Sequence, residues 1–256
     1  MPAAEYHAVD AVSSTLLRDL LETEATAGQP TEETEEMALG TLIHAMVLEP
    51  VSVDSLFACA TGRRKMDDDG NPLPDEYGRR LFTPAKWERA RLCAKALLED
   101  PKVADLLAGA ETEVSLFWTD LPTGLPCKAR IDILSANWVC DLKTGNFHSD
   151  GNGLSDVAGR RRWPVQMLWY AAATREATGI DRPFCLVGIP TNTKYPLVGT
   201  VHFDWAKEKE PGLTEREYWW GRIVEALGKA LYYRTHGWPT RATRGIELVE
   251  LPRWAK

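Results

Sequence analysis

The sequence predicts a single α/β domain built on a mixed sheet, and three observations carry that reading. Polar and apolar residues alternate over ETEVSLFWT, CKARIDIL and NWVCDLK, the pattern of half-buried strands. The elements run helices, three strands, helix, strand, with additions at both ends. A crossover helix between Lys143 and Phe184 implies that the strands flanking it pair in parallel through a right-handed connection.

Each element has its own local signal. Ser13 or Ser14 caps a first helix through LLRDLLE. ATAGQPTEETEE is a polar, acidic linker, and Glu35 to Leu48 forms a second helix that Pro50 ends. GRRKMDDDGNPLPD (62–75) has the turn chemistry of a long surface loop. Thr83 and Pro84 open a helix to about Leu98, with Thr as cap and Pro at the first helical position, and Asp100–Pro101 starts a shorter one. LPTGLP and SAN turn the chain between the three strands. A helix from about Gly159 to Thr178 follows, then the buried strand PFCLVGIP, a strand in YPLVGTVHFD, and a closing helix from Leu213 to Tyr233. The parts of the one domain, 1–256, are an N-terminal helix and linker (1–33), a helical part (34–110), the sheet (111–204), and a C-terminal helix with a basic tail (205–256).

Composition narrows the class. Of 256 residues, 44% are apolar and 26% charged, as in soluble globular proteins, which excludes a mainly disordered chain, a collagen-like repeat and a coiled coil. No apolar run reaches the roughly 20 residues of a membrane helix, and MPAAEYHAVD lacks the regions of a signal peptide. Five cysteines without a CxxC pair read as free thiols in a reducing compartment, so the expected location is the cytoplasm. The net charge of −7 points away from nucleic acid until it is mapped. Seven acids and no base lie between Asp19 and Glu36; removing them from the 37 acids leaves 30 against 30 bases.

KARIDILSANWVCDLKTG is the most informative stretch. A two-residue turn at Ala136 and Asn137 pairs residue 134 with 139, 133 with 140 and 132 with 141. Asp132 then stands opposite Asp141 with β-carbons about 4.5–5.5 Å apart. Lys143, Arg130 and Lys128 share that face. Two carboxylates so close repel unless a cation separates them, and a hard divalent ion such as Mg²⁺ suits oxygen donors. A lysine beside it can orient or deprotonate a water and offset charge on a phosphate. The competing reading of the same residues is a solvated hairpin face in which each Asp pairs with Lys or Arg.

An Asp, a short spacer and D-L-K-T behind a hairpin resemble the PD-(D/E)xK nuclease superfamily, whose core runs helix, three strands, helix, strand. GTLIHAMVLEP (Gly40 to Pro50) is similar to the N-terminal helix motif of phage and prophage RecE-type (exodeoxyribonuclease VIII-like) exonucleases, in which a Gly-x-x-x-His helix ending in Glu-Pro precedes the sheet. EYHAVDAVSSTLLRDL resembles the opening of the same family. The resemblance implies a restriction-endonuclease-like core: a helix, a three-stranded antiparallel meander, a crossover helix and a further strand. It implies that Asp132 and Asp141 bind Mg²⁺, with Mn²⁺ as a substitute, that His44, Glu113 and the Leu142 carbonyl assist, and that Lys143 is catalytic. Gln166 and Tyr170, four apart on a helix, match a Gln-x-x-x-Tyr pair beside the catalytic lysine and the bound strand.

Arg130, Arg160, Arg161 and Arg162 are candidates for the phosphate backbone, with Trp163 stacking or wedging at a duplex end. The bases from Lys229 onward form a second candidate surface. The implied activity is exonucleolytic hydrolysis of linear duplex DNA from the 5′ end, leaving 3′ overhangs for a RecT-like single-strand annealing protein in phage-type recombination. A homo-oligomeric ring and no membrane association are expected. A structure-specific or restriction-type endonuclease, and a DNA-end-binding scaffold without catalysis, are the alternatives. The acidic stretch either keeps one surface from DNA or meets a partner, and the sequence does not choose.

Overall fold

Residues 1–24, 27–29, 33–68, 72–148 and 150–238 are described by a computed structural model of the chain. Their helices are α1 (Ala3–Ala8), α2 (Ser14–Glu22), α3 (Glu35–Leu48), α4 (Val53–Leu56), α5 (Pro84–Glu99), α6 (Pro101–Leu107), α7 (Gly151–Arg160), α8 (Trp163–Thr178) and α9 (Glu215–His236). The strands are β1 (Phe57–Cys59), β2 (Arg80–Phe82), β3 (Glu111–Asp120), β4 (Leu125–Leu134), β5 (Val139–Gly145), β6 (Phe184–Pro190), β7 (Gly199–His202), β8 (Glu208–Glu210) and β9 (Leu213–Thr214).

Helix starts follow the capping chemistry. Ser13, Thr34 and Thr83 each accept a hydrogen bond from the backbone N–H three residues on, and Asp100 accepts from Lys102 and Val103. Thr214 and Glu217 form a reciprocal capping box that starts α9. The helix expected over 159–178 is two helices. Arg162 adopts the left-handed conformation, φ 51°, and separates α7 from α8. Three glycines in α7 lower its helix propensity, which hid it from the sequence reading. The β1–β2 and β8–β9 pairs and α1 were likewise not anticipated.

β3 to β7 form one mixed sheet in sequence order. β3, β4 and β5 are an antiparallel meander, β5 and β6 pair in parallel across the α7–α8 crossover, and β7 returns antiparallel to β6. This is the architecture the sequence predicts. One apolar core lies between the sheet and α2, α8 and α9, around Trp169, Leu154 and Ile223. A second lies under α3 and α5, around Leu42, Ile43, Leu97 and Val187. α3 is apolar on nearly every side and is enclosed accordingly. No single helix among the described residues is long and apolar enough to cross a membrane.

The meander is not a continuous ladder. β4 and β5 pair only at Ile133–Cys140 and Leu134–Val139, in the predicted hairpin register, and then separate. Val12 fills part of the opened edge of β4: its N–H donates to the Pro126 carbonyl and its carbonyl accepts from Lys128 N–H, each at 2.8 Å.

The acidic stretch folds onto bases of the same chain. Glu22 meets Arg162, Glu24 meets Lys229, Glu33 meets Arg80, and Glu35 meets both Arg64 and Lys86. Glu32, part of the 62–75 loop (69–71) and the tail from 239 onward lie outside the described residues.

Candidate active site

The separation of β4 from β5 creates the site. On β3, Thr112 pairs with Ile133 and Val114 with Ile131, which places Glu113 across from Asp132; the hairpin register places Asp141 beyond Asp132 on the other side. Neither position is a ladder pair, so the sheet is interrupted along the one row that carries three acids. Glu113 has φ 54°, a left-handed conformation that costs a non-glycine residue about 1–3 kcal/mol and concentrates at functional sites. Asp132 Oδ2 accepts from the Leu142 N–H at 2.8 Å, so its carboxylate stands where the next strand-to-strand hydrogen bond would be. The simple face-to-face approach of Asp132 and Asp141 expected from a regular hairpin is therefore corrected: the strands splay at this row.

His44 reaches this gap from α3. Its Nδ1 lies 3.6 Å from Asp132 Oδ2, and single ligand atoms of His44, Glu113 and Asp132 all fall within 4.8 Å of one another. Burial holds the imidazole pKa down to about 4, against the raising effects of Asp141 and the Leu142 carbonyl, so the ring is neutral at neutral pH, the form that binds metal. Burial pushes the Asp132 carboxyl well above its ordinary range, and the neighbouring charges of Asp141 and Glu113 push the same way. Glu113 is raised by burial, and the Arg130 guanidinium opposes that shift.

On the α8 side, one amide organises the network. Gln166 Oε1 accepts from Lys143 Nζ at 2.9 Å, while its Nε2 donates to Asp141 Oδ1 at 3.0 Å and to the Tyr170 hydroxyl at 2.9 Å. Lys143 Nζ is 2.5 Å from Asp141 Oδ2 and 5.3 Å from the centre of the Trp163 ring. Asp141 is 2% exposed, and its Oδ2 is paired with the Lys143 ammonium. A buried carboxylate beside a His–Glu–Asp cluster makes an oxygen-rich donor set with one imidazole nitrogen, and it fits a divalent cation.

The structure thus brings together His44, Glu113, Asp132, Asp141, Leu142, Lys143, Gln166 and Tyr170. Two expectations need correction. Arg130 does not face solvent; at 8% exposure it pairs with Glu113 and donates to Ser115 Oγ and the Met1 carbonyl, so it supports Glu113. Trp163 is 6% exposed, edge-on to Phe147, and serves as the aromatic floor under Lys143, which removes it from any duplex end. Lys128, expected on the same face, donates to the Tyr6, His7 and Val9 carbonyls and closes the end of α1. Arg160 and Arg161 are exposed, whereas Arg162 is half-buried against Glu22. Sequence reading missed the contact of Gly40 with Thr144, although a glycine in a helix interior four residues before a histidine signals it.

Residues 13–199 match the family described as a PDDEXK-like domain of unknown function (DUF3799). A crystal structure from Eubacterium rectale, of a protein provisionally described as an exonuclease, aligns over 98% of this chain and 96% of that one, with a TM-score of 0.64 and 12% identity. At that identity the likeness is one of fold. No curated protein matches the chain.

Proposed function

The chain belongs to the PDDEXK-like family, and from that premise we propose that it is a divalent-metal-dependent nuclease acting on DNA. The observation that carries this is the convergence of His44, Glu113 and Asp132 within 4.8 Å of one another, next to Asp141 and a lysine held to it. His44, Glu113, Asp132 and Asp141, with the Leu142 carbonyl, would hold the metal. Bound there, Mg²⁺ or Mn²⁺ supplies Lewis-acid stabilisation of the charge that develops on the phosphoryl oxygens.

The chain's own groups do the rest. Gln166 and Trp163 fix the Lys143 ammonium, which orients the attacking water and offsets phosphate charge. Water adds to phosphorus as the bond to the 3′ oxygen breaks; its oxygen stays on the 5′-phosphate and its proton balances the 3′-hydroxyl. Tyr170 keeps Gln166 in place. Of the four arginines expected at the phosphate backbone, Arg160 and Arg161 are the exposed ones and would meet it.

The Gly-x-x-x-His helix and the Gln-x-x-x-Tyr pair support a RecE-type reading: digestion of linear duplex DNA from the 5′ end to leave 3′ overhangs, by a homo-oligomer that works with an annealing protein. Linear duplexes labelled at the 5′ or 3′ end, incubated with Mg²⁺, test it. Loss of the 5′ label as mononucleotide, with supercoiled plasmid untouched, is expected. Nicking of the plasmid favours an endonuclease. Asp141→Ala and Lys143→Ala are expected to abolish hydrolysis with the fold retained; full residual activity refutes the assignment.

A further inference from the structure

We infer that Gly40 and Thr144 are positioning residues: their contact sets how closely α3 approaches β5, and therefore whether His44 reaches Asp132 and Glu113. A β-carbon built on Gly40 would lie 2.6 Å from Thr144 Oγ1, closer than real β-carbons come to any heavy atom. Gly40 is buried in the interior of a regular helix and does not use the left-handed conformations that glycine permits. In such a place glycine costs about 1 kcal/mol relative to alanine. What it provides is room.

The geometry transmits that room to the site. His44 is four residues on, so it projects from the same face of α3 one turn along. Thr144 lies two residues beyond Leu142 on the same strand, and the Leu142 N–H holds Asp132 Oδ2 at 2.8 Å. The contact and the ligands thus share two rigid elements, a helix and a strand. Where the overlap is relieved by the helix and not by turning Thr144 about χ1, reaching ordinary van der Waals separation needs about 1 Å of withdrawal. His44 Nδ1 already stands 3.6 Å from Asp132 Oδ2. Bonds to Mg²⁺ are about 2.0–2.1 Å long, so a retreat of that size removes the imidazole from a shared ion.

The inference rests on the metal-centre reading, and two measurements separate them. Mn²⁺ affinity by calorimetry and the His44 ring ¹⁵N resonances of the metal-free chain are compared for the unaltered protein, Gly40→Ala, Thr144→Ala and the double variant. Gly40→Ala is expected to weaken Mn²⁺ binding at least about tenfold and to move the His44 resonances. The double variant is expected to return both to the values of Thr144→Ala, within about twofold in affinity. An unmoved Gly40→Ala, or a double variant that does not recover, overturns the inference. Should Gly40→Ala not fold, Thr144→Val enlarges the same contact from the strand; weakening supports the inference and unchanged affinity and resonances overturn it. If the unaltered chain binds no Mn²⁺, the metal reading fails, and the resonances alone still decide the positioning.

Discussion

On the α8 side of the site, Lys143, Gln166 and Tyr170 are held by directed hydrogen bonds that run to Asp141 Oδ1. On the α3 side, His44, Glu113 and Asp132 crowd three ligand atoms within 4.8 Å, and burial raises the two carboxyl groups above their ordinary range. The lysine side is preorganised by the protein, and the acid side by backbone placement that leaves its charge to be compensated. Asp141 stands between the two: its Oδ1 accepts from Gln166 Nε2 and its Oδ2 pairs with Lys143, while its charge pushes up the Asp132 carboxyl. The two sides should therefore fail differently.

The largest difference is expected between Asp132→Asn and Gln166→Ala. Asp132→Asn removes a ligand and should lower Mn²⁺ affinity by about 100-fold and turnover by about 1,000-fold. It should also raise the melting temperature of the metal-free protein at neutral pH, because a carboxyl whose ionised form burial disfavours gives way to a neutral isostere. Gln166→Ala should lower turnover by about 10–100-fold, keep Mn²⁺ affinity within about threefold, and lower the melting temperature. Calorimetry, steady-state nuclease assays and thermal melts on both variants check this; equal losses of affinity would erase the distinction.

The pH dependence of stability sharpens it. Asp132 and Glu113 have raised folded pKa values, so as pH climbs past about 4 the unfolded chain releases their protons first and stability falls. His44 acts in the opposite sense. Its folded value is lowered to about 4, so stability is lost as pH falls below 6.5, where the unfolded histidine takes up a proton. Metal-free His44→Gln should melt at steadily lower temperature as pH rises from 4 to 7, whereas metal-free Asp132→Asn should show that decline weakened or reversed over 4 to 6.5. Adding Mn²⁺ should restore stability more at pH 7 than at pH 5, with about 2.7 kcal/mol at 100 times the dissociation constant. Melts across that range, with and without the ion, decide it.

These contrasts also explain what could be read in advance. The period-two pattern over 111–145 and the turn at Ala136–Asn137 were enough to place β3, β4 and β5 and the 133–140 register, because strand pairing follows from alternation and turn chemistry. The splay after Ile133 was not legible: it depends on a side chain, Asp132, replacing a backbone acceptor, and on Val12 arriving from a distant part of the chain. Arg130 and Trp163 were misplaced for a related reason. An arginine beside acids and a tryptophan after three arginines look like substrate contacts in one dimension. Only the packing of residues 1–9 and of Phe147 shows that each supports another residue instead. The acidic stretch was open in the sequence because its partners, Arg64, Arg80, Lys86, Arg162 and Lys229, come from four separate segments.

The smallest expected effect lies at the far end of the lysine network. Burial pushes the Tyr170 hydroxyl well above its ordinary pKa, so it is protonated at any working pH, and its oxygen accepts from Gln166 Nε2 at 2.9 Å. Tyr170→Phe deletes that acceptor with little change in volume. Gln166 keeps its bonds to Asp141 Oδ1 and Lys143 Nζ, so the amide still points the right way. A single neutral hydrogen bond is worth about 1 kcal/mol, or roughly fivefold. Turnover should fall by about that factor with Mn²⁺ affinity unchanged. A loss as large as that of Gln166→Ala would mean that Tyr170 touches the substrate; no loss would mean that Asp141 and Lys143 hold the amide by themselves.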